Sequence, residues 1–357
     1  MIQVGASLLN SKDLNKDISK LRDADYLHID IMDGKFVKKK TKFLNKQLNE
    51  RIKNKWRKFI EGHFMVVDPW NYIDYCSSFH TFIFHIETKN VSRTIQLLKK
   101  KKVNIGLSIN PETPVKKILP YLKHIDKVLV MTVHPGKGGQ ELIKKTKNKI
   151  SELKRIKHKQ NIKFTIAVDG GINTDNYYLA VNSGAESLAV GYGILSTKDY
   201  SKTIRQLKSC IHIGADHRGF KLKEHLINYL TKNKYAICDH GAYNYVYNDD
   251  YPDYGQSVAK VVSYNPDRLG ILICGSGVGV CISANRYPYV FASLCHTENQ
   301  AEASKKDDYS NILCMGADFT TIKQAEKIVS AWLGSRFIPM EKHVRRINKI
   351  DDVDIIY

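Results

Sequence analysis

The sequence predicts an α/β protein in two parts: an N-terminal (β/α)8 TIM barrel over residues 1–208, then a C-terminal open parallel α/β sheet over residues 209–357, a Rossmann-like three-layer sandwich. Three observations carry this. Eight short apolar runs of β type alternate with polar, lysine-rich segments across the first 205 or so residues. A second strand–helix alternation begins after Leu207. Charge also changes there: residues 1–208 hold 39 basic and 19 acidic side chains, whereas residues 209–357 hold 17 of each.

The eight runs are Ile2–Leu9, Asp25–Met32, Lys58–Val66, Thr81–Glu87, Asn104–Asn110, Lys127–Val133, Lys163–Asp169 and Ala185–Gly191. Helical spacing lies between most of them. Val91, Ile95 and Leu98 share one face of a helix over Val91–Lys102, and a second helix is expected over Glu141–Lys157. In the second part the expected strands are Ile211–Ala215, Tyr235–Asp239, Gly270–Cys274, Val290–Cys295 and Ile312–Met315. Helices are expected over Phe220–Asn233 and Ile322–Trp332.

The chain of 357 residues carries a net charge of +20 and is 43% hydrophobic, enough to bury a core in each part. The lysine runs read as solvated helix faces that also attract anionic sugar phosphates. No aromatic–basic cluster supports nucleic-acid binding. Seven cysteines, an odd number with no Cys-x-x-Cys pair, predict reduced thiols in a cytoplasmic protein. No stretch approaches a membrane span.

Polar residues recur where a (β/α)8 barrel places its chemistry, at the C-terminal strand ends. They are Ser7, His28 with Asp30, His63, His85 with Glu87, Asn110, His134, Asp169 and Gly191. His28, Asp30 and Met32 share a strand face because side chains two apart point the same way. His28, Asp30, His63 and Asp169 form a two-imidazole, two-carboxylate set for one divalent ion, with zinc, iron, manganese and cobalt all compatible. Such an ion acts as a Lewis acid on a ketone oxygen. Asp30 and Asp169 then serve as acid and base on opposite faces of a sugar carbon, which inverts it. Met32, Met65 and Met131 suit either core filling or a soft cover over the intermediate. Three glycine sites, Gly136-Lys137-Gly138-Gly139, Gly170-Gly171 and Gly191, follow the last three strands and offer backbone amides to a phosphate.

In the second part, Asp216-His217 and Cys274 fall at strand ends. Gly275-Ser276-Gly277-Val278-Gly279 lacks the spacing of a dinucleotide loop. Its amides instead suit a developing enediolate oxygen. Cys274 at its mouth is the candidate base, since helix N-terminal amides favour a thiolate.

Residues 1–208 resemble ribulose-phosphate 3-epimerases, through Ala6-Ser7-Leu8-Leu9, His28-Ile29-Asp30-Ile31-Met32-Asp33-Gly34, Gly62-His63-Phe64-Met65-Val66, Met131-Thr132-Val133-His134-Pro135-Gly136 and Val168-Asp169-Gly170-Gly171-Ile172. The resemblance implies metal binding by His28, Asp30, His63 and Asp169, acid–base work by the two aspartates, and substrate contact by Ser7. His134 stands where the family has Asn or Glu, and Tyr192 where it has Ser at the phosphate site. Tyr192 still offers its backbone N–H.

Residues 210–350 resemble B-type ribose-5-phosphate isomerases, through Gly214-Ala215-Asp216-His217-Arg218-Gly219, Asp250-Tyr251-Pro252-Asp253-Tyr254, Leu272 to Gly279 and Ala331-Trp332-Leu333-Gly334. This implies proton transfer between C1 and C2 by Cys274, with no cofactor in this domain, and phosphate binding by His217, His343 and Arg346. It also implies a homodimer or higher oligomer with sites shared between subunits. Asp307-Asp308 replace the family's His-Asn, whose His opens the sugar ring, and Asp318 replaces an Arg; His296 is a candidate substitute acid. The expected protein joins the two activities through their shared ketose, ribulose 5-phosphate. The alternatives are an epimerase whose second domain only dimerises, or one whose second domain takes another sugar phosphate.

Overall fold

Residues 2–265 and 267–351 are described by a computed structural model of the chain. They form two compact units that meet between Ser209 and Cys210.

In the first unit eight parallel strands close a barrel: β1 Gln3–Ser7, β2 Tyr26–Met32, β3 Phe59–Met65, β4 Thr81–His85, β5 Asn104–Ile109, β6 Lys127–Met131, β7 Thr165–Asp169 and β8 Ser187–Val190, with β8 pairing β1. Helices cover the outside, so the strands are buried on both faces and read as continuous apolar runs. Each strand is shorter than its apolar run by one to three residues, lost at one end or both. The helix over Val91–Lys100 presents Val91, Ile95 and Leu98 to the core, as its spacing predicts. The helix expected from Glu141 starts only at Lys147. The residues before it are held to the barrel mouth, where Ile143 N donates to the Thr132 carbonyl at 2.8 Å. Two crossovers, after β3 and after β5, are made of 3-10 turns at Pro69–Ser78, Val115–Lys117 and Leu119–His124.

The second unit is a five-stranded parallel sheet: β9 Ile211–Ala215, β10 Ile237–Asp239, β11 Leu269–Cys274, β12 Ala292–Leu294 and β13 Ile312–Gly316, in the order β10-β9-β11-β13-β12. The strand order reverses between β9 and β11, which opens a crevice at their carboxyl ends. One face packs Leu222, Leu226, Ile328 and Trp332 against β9, β11 and β13. The other packs Val258, Val262, Val280 and Ala284.

One expectation is corrected here. Cys210 and Cys238 are joined in a disulfide, Cα atoms 5.9 Å apart, and five cysteines remain free. Twenty-eight residues and a whole helix separate the pair in sequence. Only the parallel pairing of β9 with β10, which sets Cys238 opposite His212, brings the two sulfurs together. Among the described residues no helix is long and apolar enough to cross a membrane.

Candidate active sites

The barrel register assembles the first site. Ser7 pairs with His28, His28 with Glu61, Asp30 with His63, and Met131 with Asp169 across neighbouring strands. Donor atoms of His28, Asp30, His63 and Asp169 therefore all lie within 4.8 Å of one another. His28 Nε2 faces Asp30 Oδ1 at 3.3 Å and Asp169 Oδ2 at 3.8 Å. His63 Nδ1 faces the same two oxygens at 3.2 and 3.6 Å.

The surrounding hydrogen bonds fix how the rings point. Glu61 can only accept, so His28 donates Nδ1–H to its Oε1 at 2.7 Å. This leaves His28 Nε2 buried and without a hydrogen bond, aimed at the two aspartates. Lys127 pairs with the other Glu61 oxygen and secures it. Behind His63, Nε2 meets His85 Nε2 at 2.9 Å, and His85 Nδ1 meets Glu87 Oε2 at 3.2 Å. Glu87 accepts the Asn110 N–H at 2.9 Å. One consistent direction runs through this chain: His85 donates to Glu87, and His63 donates to His85. The Nδ1 lone pair of His63 then turns to the aspartates. Two ring nitrogens and two carboxylate oxygens converging on one point favour a positive charge there, either a proton on His28 or a divalent ion. The donor set thus fits a divalent ion, with outer partners of the carboxylate–histidine kind.

Electrostatics separate the two aspartates. Burial opposes ionisation of Asp30, but His28 and His63 outweigh it and hold its carboxyl well below the usual range. Burial pushes Asp169 up to about 7 against the pull of His28, and Asp30 adds to the rise. The same neighbours lift His28 well above an ordinary imidazole although burial opposes its charge. Burial lowers His63, and lowers His85 to about 4. The two carboxyls thus differ in proton affinity although they share one pocket.

A cleft of about 550 Å³ lies over the pair. Its floor includes Met32, Met65 and Met131, all buried, so these residues fill the core and face the cleft together. Its rim holds Gly136 to Gly139, Gly170, Gly171, Gly191 and Tyr192, with the cations Lys137 and Lys144. Gly170 and Gly171 adopt φ +111 and +68, and a side chain on Gly171 would strike the Leu142 backbone N at 2.6 Å. The fold gives two of the predicted residues definite partners. Ser7 donates its hydroxyl to Asp30 Oδ2 at 2.8 Å, which positions that carboxylate. His134 lies exposed beside Glu112 at 3.3 Å. The sequence reading overlooked Glu61, yet its spacing two residues before His63 places both on one strand face.

The second site sits in the β9–β11 crevice. Cys274 ends β11, is 4% exposed, and its sulfur accepts the Gly277 N–H at 3.1 Å. Gly277 has φ +79, and a side chain there would meet the Met315 and Gly316 backbone at 2.7 and 2.8 Å. The loop from Gly275 can therefore lie flat against β13 only with glycine at that position. Asp216 accepts from Gly219 N at 2.9 Å. His217 gives both its backbone N–H and its ring Nδ1–H to Asp249 Oδ1, at 2.8 and 2.7 Å, which leaves Nε2 for a ligand. Tyr254 donates to the other Asp249 oxygen at 2.9 Å.

One expectation changes at this site. Asp318 does not stand as bare negative charge near a phosphate, because Arg218 forms an ion pair with it. Arg218 also lies over Gly275, a cation that the sequence reading passed over. His343 and Arg346 do not join Cys274 within one chain. His343 is buried, with Nδ1 against the Ile338 carbonyl at 3.0 Å and Nε2 3.7 Å from Asp307. Asp307 closes the helix that returns to the start of β13, at the edge of the sheet opposite Cys274.

Each unit thus carries a cluster of ionisable side chains at its strand ends beside a glycine-rich loop, an arrangement of the isomerase class. Residues 3–195 match the profile of the ribulose-phosphate 3 epimerase family, and residues 211–350 that of ribose/galactose isomerase. Ribulose-phosphate 3-epimerase of Bacillus subtilis is 33% identical over 217 residues, covering 58% of this chain and 99% of that protein. A probable ribose-5-phosphate isomerase B of Mycoplasma genitalium is 40% identical over 141 residues, covering 39% of this chain and 92% of that protein. A crystal structure of the Mycoplasma genitalium isomerase with bound ribulose-5-phosphate aligns at 39% identity and TM-score 0.39, over 40% of this chain and 95% of that one. The chain belongs to the ribulose-phosphate 3-epimerase family through its first unit and to the ribose-5-phosphate isomerase B family through its second.

Proposed function

We propose that the barrel epimerises D-ribulose 5-phosphate to D-xylulose 5-phosphate at C3, and that the second unit interconverts ribose 5-phosphate and ribulose 5-phosphate. The observation that carries the first half is the meeting of Asp30 and Asp169 beside His28 and His63. Ionised Asp30 removes the C3 proton from one face, and protonated Asp169 delivers one to the other. Ser7 and the two histidines hold Asp30 in place. The amides of Gly171 and Gly191, with Lys137 and Lys144, suit the phosphate at the cleft rim. His28, Asp30, His63 and Asp169 would hold a divalent ion, zinc, iron, manganese or cobalt. When bound it supplies Lewis-acid stabilisation of charge developing on the C2 oxygen.

In the second unit Cys274 moves the proton between C1 and C2, and the Gly275–Gly279 amides stabilise the intermediate. His217 and Arg218 provide the cationic end within one chain. The distance across the sheet between Cys274 and His343 favours a site completed by a second copy, which supports a dimer or larger assembly. Val278 and Ile282, exposed one turn apart on the helix over Val278–Ala284, supply an apolar surface for it.

The test supplies ribose 5-phosphate alone to the metal-supplemented protein in deuterated water and follows the three pentose phosphates by NMR. Xylulose 5-phosphate deuterated at C3 is the expected product. Ribulose 5-phosphate accumulating alone would sink the epimerase assignment. Turnover only when ribulose 5-phosphate is supplied would favour the second reading, motivated by Asp307 and Asp308, in which the second unit only dimerises or takes another sugar phosphate.

A further inference from the structure

The second unit carries a repeated pattern that neither proposed activity uses. Cys210-Ile211-His212 and Cys238-Asp239-His240 are both Cys-x-His, set 28 residues apart on the adjacent parallel strands β9 and β10. Within each triplet the Cys and His share a face, and Cys238 lies directly opposite His212. All four side chains therefore project from one side of the sheet. The Cys210 and Cys238 sulfurs and a His212 ring nitrogen lie within 4.8 Å of one another. Cys210 Sγ is 3.7 Å from His212 Nε2. That spacing suits two ligands on one tetrahedral ion, for which bond lengths of about 2.3 Å to sulfur and about 2.0 Å to nitrogen place S and N about 3.5 Å apart.

The hydrogen bonds behind His212 point the same way. Its Nδ1 meets His240 Nε2 at 2.9 Å, and His240 Nδ1 meets Ser257 Oγ at 2.7 Å. If His212 donates Nδ1–H to His240, and His240 donates in turn to the serine, the Nε2 lone pair of buried His212 is left toward the sulfurs. An oriented imidazole with an outer hydrogen-bond partner is how metal-ligating histidines are held. The cluster is separate from Cys274. Cys210 precedes β9, whereas Cys274 ends β11, whose Ile273 pairs with Ala215; at about 3.3 Å per residue the levels differ by roughly 20 Å.

We propose that Cys210, Cys238 and His212 form a second metal site, specific for a thiophilic divalent ion of the zinc class, which exchanges with the disulfide. Two thiolates and an imidazole select zinc-like ions over magnesium or calcium. In the oxidised chain the sulfurs are bonded to each other and unavailable. A dithiol or phosphine reductant gives two electrons to the S–S bond and is itself oxidised, leaving two thiols. The ion then binds both sulfurs and displaces two protons. A low-molecular-weight disulfide reverses the sequence: it takes two electrons, the Cys210–Cys238 bond re-forms, and the ion leaves.

Cobalt(II) is the probe, because thiolate-to-cobalt charge transfer distinguishes this site from the His and Asp ligands of the barrel. The full-length protein is reduced with a phosphine under argon, its free thiols are counted, and cobalt is titrated. Reduction should add one cobalt per chain together with a near-ultraviolet charge-transfer band. The band should vanish on oxidation and in Cys210→Ser and Cys238→Ser. His240→Ala should keep the band and weaken cobalt affinity about 10- to 100-fold through loss of the outer partner. An unchanged thermal melt and unchanged isomerase turnover in Cys210→Ser check that the second unit of the variant is folded. The proposal is overturned if both thiols are free and no band forms, if the band survives Cys210→Ser, or if the native chain resists reduction.

Discussion

Asp30 and Asp169 differ only in what surrounds them, and the roles proposed for them rest on that difference. Burial opposes ionisation of both; the nearer histidines outweigh it at Asp30 but not at Asp169. Replacing either with Asn removes one of the two proton carriers and should lower epimerase kcat by about 100- to 10,000-fold. C3 proton exchange in deuterated water reads this directly. Glu61→Gln breaks the Glu61–Lys127 pair and weakens the grip on His28. Metal affinity should fall about 10- to 100-fold, by competition with a chelator, while the fold persists.

The raised pKa of Asp169 also has a stability consequence with a definite sign. In the metal-free protein its folded value near 7 exceeds the ordinary 3.8, so the folded state binds more protons between those values. Its contribution to stability is therefore lost as pH rises from about 4 to 7. Asp169→Asn cannot titrate. Thermal melts in chelator should show the variant gaining on the parent across that window, with no further change above it. A constant difference at all pH values would mean that Asp169 is not perturbed.

At the scale of elements, the loop after β11 depends on glycine. Gly277→Ala places a side chain at φ +79 against the β13 backbone. It should destabilise the second unit by about 1–3 kcal/mol and reduce isomerase turnover, leaving epimerase turnover intact. Calorimetry of the full chain, with separate assays of the two reactions, measures both effects. The strands themselves were legible because apolar runs flanked by charged segments are a local signal. Their ends were less so. The helix expected from Glu141 begins at Lys147 because the preceding residues are held by β6, a contact that periodicity does not encode. Likewise Ser7 was legible as a strand-end polar residue, while its bond to Asp30 depends on the pairing of β1 with β2.

At the scale of the molecule, the two activities should be separable. Cys274→Ser should abolish conversion of ribose 5-phosphate and spare C3 epimerisation. Chelation of the barrel ion should do the reverse. Loss of both activities in either experiment would contradict two independent sites.

By itself the sequence determined the two-part α/β plan, the charge change between the parts, and the chemistry of each strand end. It carried these because spacing along a strand dictates facing, and residue type dictates what a facing group can do. Tertiary structure decided which groups meet. The partnering of Glu61 with His28 and Lys127, of Arg218 with Asp318, and of Cys210 with Cys238 joins residues 28 to 100 positions apart. The separation of His343 from Cys274 is of the same kind. Each follows from strand order and register, which arise from burying both faces of a parallel sheet and are written in no local stretch of the chain.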